Sequence, residues 1–172
     1  MREPLGHFLS GFTEWTYQAY PNKTIDQQFA NETLAKILSG WWPTPKRGAQ
    51  HMFPMSGILA PVDTKPGGPM IGTDGWHLQW VGRLEHAQRD WSSLMRSASR
   101  MPQLRDVPLL PDRHPTSSDP HGARAAMAAV LRGNASMRKR LCALLAADYA
   151  CFGYDINACH DGRVLSKFLR PS

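Results

Sequence analysis

The sequence predicts an α-rich α/β domain, and three observations carry that expectation. Several stretches repeat apolar side chains every three or four residues, as amphipathic helices do. One stretch, Trp76 to Val81, alternates large apolar groups with His77 and Gln79, as a strand does. Glycine and proline clusters separate these segments. At 172 residues, 42% of them hydrophobic, the chain can bury one core. It contains no apolar run long enough to span a bilayer and is expected to be soluble. Its start lacks the basic, apolar and small-residue order of a signal peptide.

The elements follow in order. Phe8 to Tyr20 sets Phe8, Phe12, Trp15 and Tyr20 along a helix that Pro21 stops, with Ser10 on its first turns. Thr24 to Leu38 is a second helix, with Thr24 as cap, Gln27 at capping-box spacing, and Gly40 as its end. Phe29, Leu34, Ile37 and Leu38 form its stripe. Trp41 to Arg47, with two prolines, cannot be regular, and Ala60 to Gly75 is a loop; either can border a substrate cleft. After the strand, Gly82 turns the chain into a helix from Leu84 to Arg100, whose Glu85 and Asp90 complement the helix dipole. Met101 to Gly122 contains five prolines and reads as a linker or lid. Arg124 to Leu131 and Ala135 to Tyr149 are helices parted by Gly133-Asn134. There is no internal repeat.

The net charge of +6 is uneven: residues 123–172 hold eight basic and three acidic groups. Arg138-Lys139-Arg140 either approaches an anionic cofactor or sulfated glycan, or is a solvated helix face. Nucleic acid is disfavoured, since no basic strand is interleaved with aromatics. Three of the four asparagines, Asn22, Asn31 and Asn134, stand in N-glycosylation sequons, which favours a lumenal ancestry. Cys142, Cys151 and Cys159 permit one disulfide and a leftover thiol. A Cys151–Cys159 loop is possible, and Cys142 reads as a buried small hydrophobe. Histidines and cysteines show no metal-ligand spacing, so no metal is expected. Trp41-Trp42 suits either sugar stacking or packing.

The first eleven residues carry the sharpest functional signal. Arg2, Pro4 and Ser10 form a compact pattern in which a guanidinium fork and a hydroxyl can hold a phosphate. This run resembles the 3′-phosphate-binding segment of sulfotransferases, with its Arg and Ser eight apart and a Pro two after the Arg. Further on, His51-Met52-Phe53-Pro54 resembles the His-x-x-Pro of the Golgi carbohydrate branch, with Met55 where a Gln often follows. Trp80-Val81-Gly82-Arg83-Leu84-Glu85 with Asp90 resembles that branch's strand-to-helix signature. Leu141 to Tyr154 is similar to its closing helix, with Asp148, Tyr149 and a terminal Gly153-Tyr154. The order along the chain agrees.

The resemblance implies that residues 1–172 are a partial domain, the helix-rich C-terminal portion of a P-loop-like parallel-sheet sulfotransferase domain. Its segments would be 1–60 for the 3′-phosphate and helices, 61–75 loop, 76–100 strand and helix, 101–122 linker or lid, and 123–172 closing helices. The implied activity is transfer of a sulfuryl group from 3′-phosphoadenosine-5′-phosphosulfate to a carbohydrate hydroxyl, with Arg2 and Ser10 binding the cofactor. The 5′-phosphosulfate loop that precedes this segment in the family has no counterpart here. Whether the chain is an enzyme therefore stays open, and the alternative is a non-catalytic nucleotide- or glycan-binding remnant. The family also implies the Golgi lumen or membrane, with a membrane-anchored full-length form. No catalytic base is assigned: His7, His77 and His86 are unranked, and His51 either orients the nucleotide or acceptor or is a loop histidine bonded to backbone. An unrelated basic helical interaction module is the third possibility.

Overall fold

The structure, a computed structural model, describes residues 3–43, 52–55, 89, 119 and 121–168. These form α1 (Pro4–Ala19), α2 (Gln27–Leu38), α3 (Ala123–Gly133), α4 (Ala135–Leu144), α5 (Ala146–Phe152), α6 (Ile156–His160) and a terminal 3₁₀ helix (Arg163–Phe168). Among the described residues there is no strand, so the α/β expectation of a parallel sheet is overturned. The physical reason is periodicity: Leu5, Phe8, Leu9, Phe12, Trp15 and Thr16 are buried at helical spacing, and their stripe is covered by helices. The expected strand 76–81 and helix 84–100, Arg89 excepted, lie outside the described residues, as do the expected loop 61–75 and, save Asp119, 121 and 122, the linker 101–122.

α3 is the hub, packing against α1, α2, α4 and the 3₁₀ helix. Its small Ala123, Ala126 and Ala128 are buried beside Met127 and Leu131, letting neighbouring helices approach closely. α1 begins four residues before the sequence reading places it. Pro4 needs no donor at a first helical position, and Glu3 supplies the cap, its Oε2 accepting the Gly6 N–H at 2.7 Å. α2 is capped by Asp26, whose Oδ1 accepts the Phe29 N–H at 2.8 Å, rather than by Thr24. Gly40, at φ 95°, ends it: the Trp41 N–H reaches the Lys36 carbonyl and the Gly40 N–H that of Ile37, both at 3.0 Å. The single helix expected from Ala135 to Tyr149 breaks at Leu145 into α4 and α5.

Cys142 on α4 bonds to Cys159 on α6, and Cys151 is exposed and free. One disulfide and a leftover thiol are thus present as expected and Cys142 is buried as expected, but it is half of the bridge, and Cys151, the expected partner of Cys159, lies exposed on α5. The bridge fixes the short α6, which has too few residues to stand on its own propensity.

Candidate functional site

The site is built around two neighbouring residues of α5. Asp148 is fully buried and its Oδ2 accepts the Met55 N–H at 2.7 Å, across 93 residues of sequence. Tyr149, 2% exposed, donates its hydroxyl to Oε1 of Glu3, across 146 residues. One helical turn therefore ties the start of α1 and the segment 52–55 together. Met52 and Met55 are buried there, and Phe53 stacks on Trp42 with ring centroids 4.9 Å apart.

Glu3 is the link between cap and core. One carboxylate oxygen serves the α1 amide and the other the tyrosine. Burial, and then the negative Glu3 beside it, push the Tyr149 hydroxyl far above the ordinary phenol range, which keeps it a proton donor. A raised folded-state pKa adds stability that is fully present below the unfolded value, about 10, and is lost as pH rises beyond it. Stability of the parent chain is therefore expected to fall more steeply above about pH 10 than that of Tyr149→Phe. Urea unfolding at a series of pH values checks this, and parallel pH profiles would contradict it.

The sequence-predicted residues fall as follows. Arg2 lies outside the described residues, as do His51, His77, His86 and the segment 80–90 apart from Arg89. Ser10 is half-buried in the second turn of α1, which starts at Pro4. It stands two helical turns beyond Glu3 and so on the same side of α1. The positive end of α1 is engaged by Glu3 itself, so its Gly6 amide is not the donor that the anion reading supplies. Asn22 is exposed in a turn and Asn31 exposed on α2. Asn134 caps α4, its Oδ1 accepting the Met137 N–H at 3.0 Å.

The basic run is in part the solvated helix face expected, with Lys139 and Arg140 exposed, and its two arginines also bond to backbone. Arg138 donates from Nη1 to the Leu131 carbonyl at 2.8 Å and from Nε to the His160 carbonyl at 3.0 Å. Arg140 donates from Nη2 to the Leu38 carbonyl at 3.0 Å. Both guanidinium groups satisfy carbonyls at the ends of other helices, where positive charge is favoured. Lys139 between them is exposed.

Sequence reasoning missed Glu3 and the pairing roles of Asp148 and Tyr149. The signals were present: an acid directly before a proline at a helix start, and one carboxylate in the apolar run Leu141 to Phe152. In comparisons with family models, curated proteins and solved structures, nothing matches the chain. Among the described residues no helix is long and apolar enough to cross a membrane.

Proposed function

We propose that the chain is sulfotransferase-like: it holds 3′-phosphoadenosine-5′-phosphosulfate through the 3′-phosphate and serves transfer of the sulfuryl group to a carbohydrate hydroxyl. The observation that supports this reading is the junction on α5. Three of the four segments on which the resemblance rests, around Glu3, around Met55 and around Asp148-Tyr149, meet there through two hydrogen bonds. Segments that share one function need a common place, and these share one although they are far apart in sequence.

In this reading the 3′-phosphate is held by side chains rather than by the helix end. With the Gly6 amide taken by Glu3, the 3′-phosphate would be held by the Arg2 fork and the Ser10 hydroxyl. When bound, the cofactor supplies the activated sulfuryl group. A second reading, the nucleotide- or glycan-binding remnant, is favoured by the same Glu3 contact, which removes an amide donor from the phosphate. The sequons together with the Cys142–Cys159 bridge support a place in an oxidising secretory compartment, the Golgi lumen by resemblance.

Calorimetric titration with adenosine 3′,5′-bisphosphate tests the proposal. Saturable micromolar binding is expected, and Arg2→Ala is expected to weaken it by about 2–4 kcal/mol, roughly thirtyfold or more. A folded chain that does not bind would refute the sulfotransferase-like reading and the nucleotide-binding form of the remnant. Binding without sulfuryl transfer to any sugar would select the remnant.

A further inference from the structure

We propose that Asn22 is N-glycosylated and that the first N-acetylglucosamine lies across the Tyr20 ring, completing the aromatic cluster between α1 and α2. The inference rests on the secretory location proposed above and is independent of the nucleotide site.

The local geometry is a tight turn. The Lys23 N–H donates to the Tyr20 carbonyl at 3.0 Å, placing Pro21 and Asn22 at the two central positions, which proline and asparagine both favour. Tyr20 thus stands at the turn's first position, Asn22 at its third and Thr24 one residue beyond it. All are exposed, Tyr20 at 36%. The turn keeps Asn22 two residues from the Tyr20 ring in the same exposed stretch.

Tyr20 is the outer member of an aromatic group. Its ring meets Trp15 at 5.7 Å and Phe29 at 5.2 Å, and both cross it at steep angles, 87° and 79°, so neither lies flat against it. Trp15 in turn stacks on Phe29 and meets Trp41, which is 45% exposed. The C–H face of a pyranose carries partial positive charge and packs on the negative face of an aromatic ring, as the Lys23 ammonium already does 4.4 Å from the Phe29 centroid and 5.8 Å from the Tyr20 centroid, where the sugar would take its place. A sugar on Asn22 is tethered beside such a surface.

The chain contains its own control. Phe29-Ala30-Asn31-Glu32-Thr33 repeats the order aromatic, x, Asn, x, Thr, yet it lies in α2. Residues two apart on a helix do not face each other, and Thr33 is buried, so Phe29 cannot receive a sugar from Asn31. Asn134 has Arg132 two residues before it and caps α4. The turn, not the motif, makes Asn22 distinct.

In the modification, the donor is a lipid-linked oligosaccharide diphosphate and the transfer is performed by the host's oligosaccharyl-transferring enzyme. The Asn22 amide nitrogen forms the bond to sugar C1 and gives up one proton, the C1–O bond breaks, and the lipid diphosphate leaves with the electron pair.

The test is to send the full chain, behind a cleavable signal, through the secretory pathway of a eukaryotic host. Glycopeptide mass spectrometry is expected to find N-acetylhexosamine on Asn22. Trimming to a single N-acetylglucosamine is expected to leave the melting temperature unchanged, whereas complete removal lowers it by about 2–4 °C. In Tyr20→Ala that difference should vanish, and Asn22→Gln should melt at the deglycosylated temperature of the parent. Occupancy of Asn31 or Asn134 with Asn22 bare would overturn the proposal, as would an equal glycan effect in Tyr20→Ala. No occupied sequon in a secreted, folded chain would also overturn it, while the secretory location would still stand on the Cys142–Cys159 bridge and nucleotide binding would be judged separately by calorimetry.

Discussion

Replacing Cys142 and Cys159 together with serine is expected to cost about 3 kcal/mol of stability, the loop-closure entropy that a cross-link over such a span removes from the unfolded chain. The bridge joins residues 17 apart and fastens the five-residue α6 to α4. For a chain of this length the loss corresponds to a melting point lower by roughly 6–12 °C. Cys151→Ser, at an exposed position, should stay within about 0.5 kcal/mol of the parent. Urea unfolding of the three proteins, with and without reductant, reads the difference. Thiol titration of the unfolded, unreduced chain should find one reactive group. A double serine variant as stable as the parent would show that packing against α4 and the 3₁₀ helix holds α6 unaided.

Tyr149→Ala is expected to be the most damaging single change at the α5 junction. It removes a buried ring, about 3–5 kcal/mol by analogy with other large-to-small aromatic truncations, and leaves one Glu3 oxygen without its buried donor. Tyr149→Phe separates the two effects. It keeps the ring and loses the bond to a charged group, about 1.5–3 kcal/mol. Asp148→Asn retains a carbonyl acceptor for the Met55 N–H and should cost less than Asp148→Ala, which orphans that amide. A double-mutant cycle between Tyr149→Phe and Glu3→Gln should give a coupling of 0.5 kcal/mol or more by the usual scale for contacting residues, roughly. Additive losses would show that the two side chains are neighbours without an energetic link. Under the proposed function these same variants also weaken adenosine 3′,5′-bisphosphate binding, because the junction positions the start of α1.

The existence of the helices was legible because apolar spacing is a local property. Phe8, Phe12 and Trp15 mark α1; Leu34 and Ile37 mark α2; Leu141, Leu145 and Tyr149 mark the pair α4 and α5. Boundaries were less so. Thr24 and Asp26 are both capping residue types, and nothing local chooses between them. The start of α1 was hidden because Glu3 is an uncommon cap that gains its place from a second partner, Tyr149, at the other end of the chain. The sheet was an expectation carried by resemblance and by the alternation at 76–81, and the described residues close their core by helix against helix instead.

By itself the sequence determined that the segments around 8–20, 24–38, 124–131 and 135–149 are helical, that Pro21 and Gly40 stand at the ends of the first two, and that three asparagines stand in glycosylation sequons. Those features depend on neighbours within four or five residues. Only the tertiary structure decided which two of three cysteines pair, that Arg138 and Arg140 satisfy helix-end carbonyls, that the turn at Tyr20 sets Asn22 apart from Asn31, and that Asp148 and Tyr149 join segments 93 and 146 residues away. The reason is physical: a buried donor or acceptor must find a partner wherever packing brings one, and spacing along the chain does not encode that distance.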